Sequence, residues 1–582
     1  MRLRTAIVLL IVMFIGSAPA AAEPRAAKRI HTFGSCSALI GYARAHVPRV
    51  VPRPVPMPQR TDLPSAEAAP GAGAVPDDTS QTNVQEAGVD EPDIVKTDGR
   101  VIWALEGGRL NAVDARAARP RLLSSLDLSS HAPDALLRSG DRMLVLGSGF
   151  RGAHLTQVDV SDPAKPVVMR TEMLEGDLVD ARLTGRTARI VVESSPDALT
   201  ALRLRSRASG WVPQRRVVNA RTRSVTKRRL SCRTVRRPAV YSGAGVVTVY
   251  TVDLARGLPS IDADAILASA ETVYASASSL FVATRRWDAA GGATSIHRFD
   301  TSDPGRTAYS ATGTVPGELL SQFALSEDRG VLRAASTKGF GDDAESLVTT
   351  LADRDGRLVR LGAVGGLGRG ERIYAVRFLG DTGYVVTFRQ VDPLYTLDLA
   401  DPARPVVRGE LKIPGYSAYL HPVGDDLLLG VGQNATGAGE VTGLQLSLFD
   451  VSDLARPARL AQVDLGSRYS GSEAEWDHHA FLFWPATGLA VLPIDSEDFS
   501  GAAGFTVSRA GGIAALGQIA HAPGGRDAFA PPVRRAVVVG DRLFTISELG
   551  AKASTLAGLA DAGWVAFPEG ARPPDGPIAL AP

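Results

Sequence analysis

Between residues 99 and 115 the chain reads GRVIWALEGGRLNAVDA, two short apolar runs on either side of Gly107-Gly108. Runs of this length bounded by turn residues mark strands, and a Gly-Gly pair supplies the positive φ that joins them as a hairpin. GDRMLVLG (140–147), GDTGYVVTF (380–388), GDDLLLGVG (424–432) and GDRLFTIS (540–547) repeat the design, each opened by a Gly-Asp turn. Helical spacing is confined to FGSCSALIGYARAHV (33–47). There Leu39, Ile40, Tyr42 and Val47 predict a short amphipathic helix carrying Cys36.

One turn recurs: QVDVSDPAKPVV (157–168), RFDTSDPGRTAY (298–309), TLDLADPARPVV (396–407) and LFDVSDLARPAR (448–459). In such a turn Asp caps its own backbone and Pro fixes φ near −65°, which sets the angle between two outer strands. The Asp closing the preceding strand stands at 114, 159, 253, 300, 398 and 450, at spacings of 45, 94, 47, 98 and 52. These are one or two units of roughly 47 residues, the size of a four-stranded β-propeller blade. The expected fold is therefore all-β, a propeller of about eight four-stranded blades, with seven to nine open. Eight units fall between about 91 and 525, and a further strand set lies at 533–567. Terminal units that share a blade would close the ring.

TNVQEAGVDEPDIVKTDGRVIWAL (82–105), VRFLGDTGYVVTFRQVDPLYTLDLADPARPVVRGELKIPGYSAYLHP (376–422) and GLQLSLFDVSDLARP (443–457) resemble the secreted bacterial β-propeller proteins distantly related to WD40 repeats. The resemblance implies an exported all-β propeller and implies no reaction. No unit ends in the Trp-Asp pair of true WD40 repeats, so their scaffolding role does not carry over.

The first residues agree with export. Arg2 and Arg4, the apolar run from Ala6 to Ile15 and Ala18-Pro19-Ala20 form a secretory signal, expected over 1–22 with cleavage after Ala20 or Ala22. A helical segment at 23–49, a Pro-rich linker at 50–82, a propeller at 84–567 and a tail at 568–582 are expected to follow. No later stretch is long and apolar enough to span a bilayer as a helix. In an oxidising compartment the two cysteines, Cys36 and Cys232, are most economically a disulfide.

Charge adds one outlier. Residues 203–237 hold 13 Arg or Lys and no acid, so the rest of the chain carries −11 against an overall +2. Trp211, Arg215, Arg216, Lys227, Arg228 and Arg229 are the candidate contacts for an anionic wall polymer, phospholipid headgroups or nucleic acid.

The densest chemistry is GSEAEWDHHAFLFW (471–484), with Glu473, Glu475, Asp477, His478 and His479. Strand alternation would turn Asp477 and His479 one way and His478 the other. A shared metal ion is not expected on that reading, and Asp477 and His478 stand as ligand-lining groups. No cofactor is implied. Carboxylate pairs such as Asp159 with Asp162 read as turn caps rather than calcium ligands, which would need six to eight oxygens. Ser326, Asp328 and Gly330 match half of a sialidase Asp box once, and GGLGRG (365–370) lacks the helix that would cradle a phosphate.

The expected function is a monomeric binding or scaffold module of the cell exterior. The alternatives are a hydrolase or lyase with acid/base groups near Asp477 and His478, and a structural envelope protein.

Overall fold

The computed structural model describes residues 31–46, 78–149, 152–195, 211–286, 292–389, 392–521 and 530–569. The expected signal segment, most of the Pro-rich linker, residues 203–210 and the end of the tail lie outside the described residues.

Among the described residues the chain forms nine antiparallel four-stranded meanders, over 95–127, 133–174, 177–267, 272–316, 325–367, 372–413, 416–464, 482–519 and 535–566. We call these blades 1 to 9. Nine is the upper end of the expected range, because 535–566 is a whole blade. In each blade the four strands pair in chain order, and first strands meet between blades 1 and 2, 3 and 4, 6 and 7, and 8 and 9, while the fourth strand lies at the rim. The rim strand Val406–Ile413 alternates exposed and half-buried residues, as a half-solvated strand should.

Each interface between neighbouring blades is an apolar cluster. Leu155 and Leu174 of blade 2 meet Ile190 and Val192 of blade 3, and Leu394 of blade 6 meets Leu428 of blade 7. The last interface closes the ring, with Trp103 of blade 1 sharing a cluster with Phe544 and Ile546 of blade 9. Blades 1 and 9 keep separate sheets, so closure does not come from a shared blade. The segment just before blade 1 instead adds to blade 9: Thr79 bridges Val539, and the Ser80 N–H donates to the Val538 carbonyl at 2.9 Å. Residues 78–80, grouped with the linker from sequence, thus already belong to the fold.

The repeated turn joins the third strand of a blade to the fourth. Asp450 accepts from the N–H and hydroxyl of Ser452 at 3.0 and 2.7 Å, and Asp453 accepts from the Ala455 N–H at 2.9 Å. Asp159, Asp162, Asp300, Asp303, Asp398 and Asp401 do the same in their turns. These bonds, with an Arg509 ion pair, hold Asp450 down to about 2. The hairpin of blade 1 turns on Gly107 and Gly108, whose φ values of 59° and 73° suit a two-residue loop between the paired Glu106 and Arg109.

The basic insertion leaves blade 3 between its second and third strands and adds to blade 2. Gln214–Asn219 pairs with the rim strand of blade 2, and Val225–Arg229 pairs with Gln214–Asn219 as the new edge. Cys36, at the start of the helix Cys36–His46, is disulfide-bonded to Cys232 with Cα atoms 5.1 Å apart. Leu39 and Ala43 of that helix pack with Trp211, Val235 and Leu267 against blade 3.

The bond spans a sequence separation of 196. On the chain-entropy model such a loop is worth about 5 kcal/mol at most. Alkylation followed by intact mass should label neither cysteine before reduction and both after it. The Cys36→Ser variant should release the helix to proteolysis while the propeller stays resistant. A helix equally protected without the bond would show that packing alone holds it.

Candidate functional site

Residues 83–94, NVQEAGVDEPDI, precede blade 1 and cross the axis of the ring. Gly88, at φ 79°, and Pro92 limit regular strand to Val89–Asp90. Backbone groups and side chains of the segment bond to six other blades. Asn83 donates to the carbonyls of His478 and Phe481, both at 3.1 Å, before blade 8. Gln85 donates to the carbonyls of Gln322 and Leu325 at the entry of blade 5. Glu86 accepts from the Tyr274 hydroxyl of blade 4 at 2.7 Å. Val89 and Asp90 pair with Thr184 and Leu183 of blade 3. The Asp93 backbone exchanges hydrogen bonds with Leu136 of blade 2, and its carboxylate accepts from Arg535 of blade 9. The segment is a plug.

Opposite the plug lies the loop leading into blade 8. It is not a strand: Glu473–Glu475 and His478–Ala480 are 3₁₀ turns, and the strand begins only at Leu482. Ser472 and Glu475 form a capping box on the first turn, and Asp477 caps the second by accepting from the His479 N–H. This corrects the alternation expected from sequence. A helical turn brings both imidazoles to the same side, their ring centroids 3.9 Å apart.

Both rings meet Glu91. His478 Nε2 is 3.1 Å and His479 Nε2 is 3.7 Å from Glu91 Oε2, and His479 Nε2 and His478 Nδ1 are buried without a hydrogen-bond partner. His479 Nδ1 lies 2.8 Å from Asp477 Oδ1, and Asp477 Oδ2 accepts from Arg535 Nη2 at 2.5 Å. Asp477 therefore has both oxygens engaged, and His478 is 3% exposed. That placement gives no support to an acid/base pair open to a substrate.

An ionic network surrounds these groups, buried at Arg535, Asp93, Lys96 and Arg182 and partly exposed at Asp90, Asp180, Asp477 and Arg534. Arg535 donates to Asp93 at 2.7 Å, to Glu473 at 2.9 Å and to Asp477, and Arg534 adds a 3.1 Å bond to Glu473. On the other side, Gln322 donates to Glu91 Oε2 and the Gln85 N–H to Oε1, both at 3.0 Å. Arg182 donates to Gln322 at 2.5 Å and pairs with Asp180 at 2.7 Å. Lys96 donates to the Glu91 carbonyl at 2.7 Å and pairs with Asp90 at 2.6 Å.

The charges tune one another. Burial works to raise Glu91, but Arg182 and the two imidazoles outweigh it and hold the carboxyl well below its ordinary range. Burial and the neighbouring His479 lower His478. Burial also opposes the charge on His479, but Asp93, Asp477 and Glu91 overcome it and raise that imidazole. Glu106, near Arg534, is pushed up to about 7 by burial.

The basic insertion is a second feature, apart from the axis. Trp211, expected among the contacts for a partner, is 3% exposed and packs beside the Cys36 helix. Arg215, also expected there, turns inward to Ser260 at 2.6 and 2.9 Å and to Glu172 at 3.5 Å. Arg216 is half-buried, and Arg229 lies 3.6 Å from Glu175. Lys227 and Arg228 are exposed, as are Arg221 and Arg223 in the hairpin loop. Sequence reading missed Glu91 as a partner of the histidines, since nothing local joins residues 91 and 478. It also missed the SEAE capping signature at 472–475 that announced the turn.

Two expectations follow for the network. Arg535→Met leaves Asp93, Glu473 and Asp477 without their shared cation, and should cost about 3–5 kcal/mol in denaturant unfolding at unchanged m-value. A loss below about 1 kcal/mol would mean that water replaces the guanidinium at no cost. For Glu106 the folded pKa lies above the unfolded one of 4.5, so its contribution is present below pH 4.5 and is lost as pH rises through about 7. Glu106→Gln should therefore gain stability over the parent across that window, by on the order of 3 kcal/mol at its top. A pH-independent difference between the two proteins would contradict the assignment.

A family model described as the β-propeller domain matches residues 79–559. Uncharacterized proteins of Methanocaldococcus jannaschii and Archaeoglobus fulgidus are each 42% identical to the chain, over 182 and 186 residues. These matches cover 31% and 32% of this chain and 28% of each relative, so the chain spans little more than a quarter of their length. Among solved structures, the periplasmic gluconolactonase of Pseudomonas aeruginosa aligns with 16% identity and a TM-score of 0.33, over 55% of this chain and 95% of that one. Sqt1 of Chaetomium thermophilum, bound to the N-terminus of the ribosomal protein L10, aligns with 12% identity and a TM-score of 0.35, over 61% and 83%. With the family model matched from the first residues of the ring into its ninth blade, the chain belongs to the β-propeller domain family.

Proposed function

We propose that the protein is a binding module of the cell exterior, and that it takes an anionic polymer on the hairpin 214–229. The observation that carries this reading is the charge pattern of that hairpin. Its ladder sets Arg216 opposite Lys227 and Arg215 opposite Arg228, and like charges directly opposite destabilise a sheet. Glu172 relieves Arg215 from within. Among the described residues no ion pair relieves Arg221, Arg223, Lys227 or Arg228, and all four are exposed. An external polyanion would relieve them. The rest of the chain is acidic, so attraction would be confined to this edge.

Export is part of the proposal. It rests on the N-terminal signal pattern and on the Cys36–Cys232 bond, which an oxidising compartment favours. No described helix is long and apolar enough to cross a membrane.

The Arg221, Arg223, Lys227 and Arg228 side chains should be changed to Ser together, leaving the internally paired Arg215 alone. With four phosphate contacts, affinity of the unmodified protein for duplex DNA as a model polyanion should fall roughly 150-fold between about 50 and 200 mM salt. The variant should lose most of its low-salt retention and keep its melting temperature. Unchanged retention would leave these charges with the other duty of a basic edge strand, preventing edge-to-edge pairing.

A further inference from the structure

We propose that Glu91, His478 and His479 hold one divalent transition-metal ion, Zn²⁺ being the ion that suits the donor set, and that this ion ties the axial plug to blade 8. The three donor groups lie within 4.8 Å of one another. Two imidazole nitrogens and a carboxylate oxygen are a common three-ligand set for zinc. Bonds of 2.0–2.1 Å in a tetrahedron place neighbouring donors about 3.3–3.4 Å apart. The nitrogen–oxygen separations here, 3.1 and 3.7 Å, lie on either side of that value.

A second observation is independent of the spacing. His479 is fixed by Asp477, whose Oδ1 lies 2.8 Å from Nδ1, and loss of the Nε2 proton on metal binding would leave that nitrogen's lone pair facing Glu91, 3.7 Å away. The atom it meets is itself an acceptor, already supplied with one hydrogen bond by Gln322. His479 Nε2 and His478 Nδ1 are buried polar atoms without a hydrogen-bond partner, and His478 Nε2 faces the same Glu91 oxygen at 3.1 Å; a buried polar atom left unsatisfied costs stability. A cation between the two imidazoles and Glu91 satisfies lone pairs on all three residues.

The outer contacts also suit a metal. A carboxylate on the far nitrogen of a ligating histidine orients the ring, and hydrogen bonds to the ligating carboxylate hold its plane. Asp477 plays the first part, and Gln322 with the Gln85 N–H plays the second. Charge points the same way. The network joins seven carboxylates (Asp90, Glu91, Asp93, Glu106, Asp180, Glu473, Asp477) to four side-chain cations (Lys96, Arg182, Arg534, Arg535). With neutral histidines the carboxylates outnumber the cations, and a divalent ion offsets part of that excess.

The test uses untagged protein stripped with a chelator and then titrated with Zn²⁺ in competition with a chromophoric chelator. One equivalent should bind, with a rise in melting temperature. Co²⁺ loading should give the visible absorption of a low-symmetry nitrogen–oxygen site, and X-ray absorption of the loaded protein should show imidazole scattering. His479→Ala and Glu91→Gln should each weaken binding at least about 100-fold, and Asp477→Asn about 10- to 100-fold. Unmodified protein that takes up neither ion overturns the proposal, whatever the variants do. So does equal uptake by folded His479→Ala, which would place the ion elsewhere. Metal-loaded protein without imidazole scattering has the same meaning, even where no variant folds.

Discussion

A ring of nine blades has to fill its own axis, and the rest of the structure depends on how residues 83–94 do so. Each added blade moves the inner strands outward, and those strands cannot pair with one another across the opening. Backbone must be brought in, with partners for its polar groups. The chain draws it from its own N-terminal side and spreads the bonds over blades 2, 3, 4, 5, 8 and 9. The plug then enters blade 1 directly at Val95. Six of the blades, and blade 1 through the chain itself, are thereby referred to one short segment.

That arrangement explains why the centre is ionic rather than apolar. Buried ion pairs seldom add net stability, because desolvation offsets their attraction, but breaking one is severe. A network in which Arg535 must meet Asp93 from the plug, Glu473 and Asp477 from the loop before blade 8 accepts very few registers. Apolar packing between blades tolerates repacking. In this ring the blade interfaces supply the burial, and the axis supplies the register.

The features readable from sequence are those whose contacts are local. The Asp turn repeats because each copy caps itself within three residues, as Asp450 does with Ser452 and Asp453 with Ala455. It showed the repeat and the unit length without any knowledge of tertiary structure. The blade count was harder, since the unit at 535–566 follows a stretch with no Asp turn, and nothing local tells a whole blade from a shared one. The site was the least legible. Asn83 and His478 are separated by 395 residues, and no periodicity links them. The reading of 476–479 as alternating strand failed for a different reason. Its capping signals, Ser472 with Glu475 and then Asp477, were present and outranked by the apolar run FLFW that follows.

The two unusual features of the chain, its ionic axis and its basic edge, solve opposite electrostatic problems. In the axis, carboxylates outnumber cations around a largely buried centre, where an unbalanced charge is expensive and favours a compensating group. On the hairpin the cations outnumber the acids, but solvent and salt screen them, so the excess can stand uncompensated until a partner arrives. Geometry follows from the same difference. Glu91 and His479 are fixed by bonds to Gln322 and Asp477, whereas all five residues of Val225–Arg229 are exposed on an edge held by one neighbouring strand. A rigid, under-charged interior suits a small ion of defined coordination, and an exposed basic edge suits a polymer recognised by charge density. The disulfide joins neither problem to the other. It secures the base of the hairpin to a helix that packs on blade 3, so the edge can carry repelling charges without peeling from the ring.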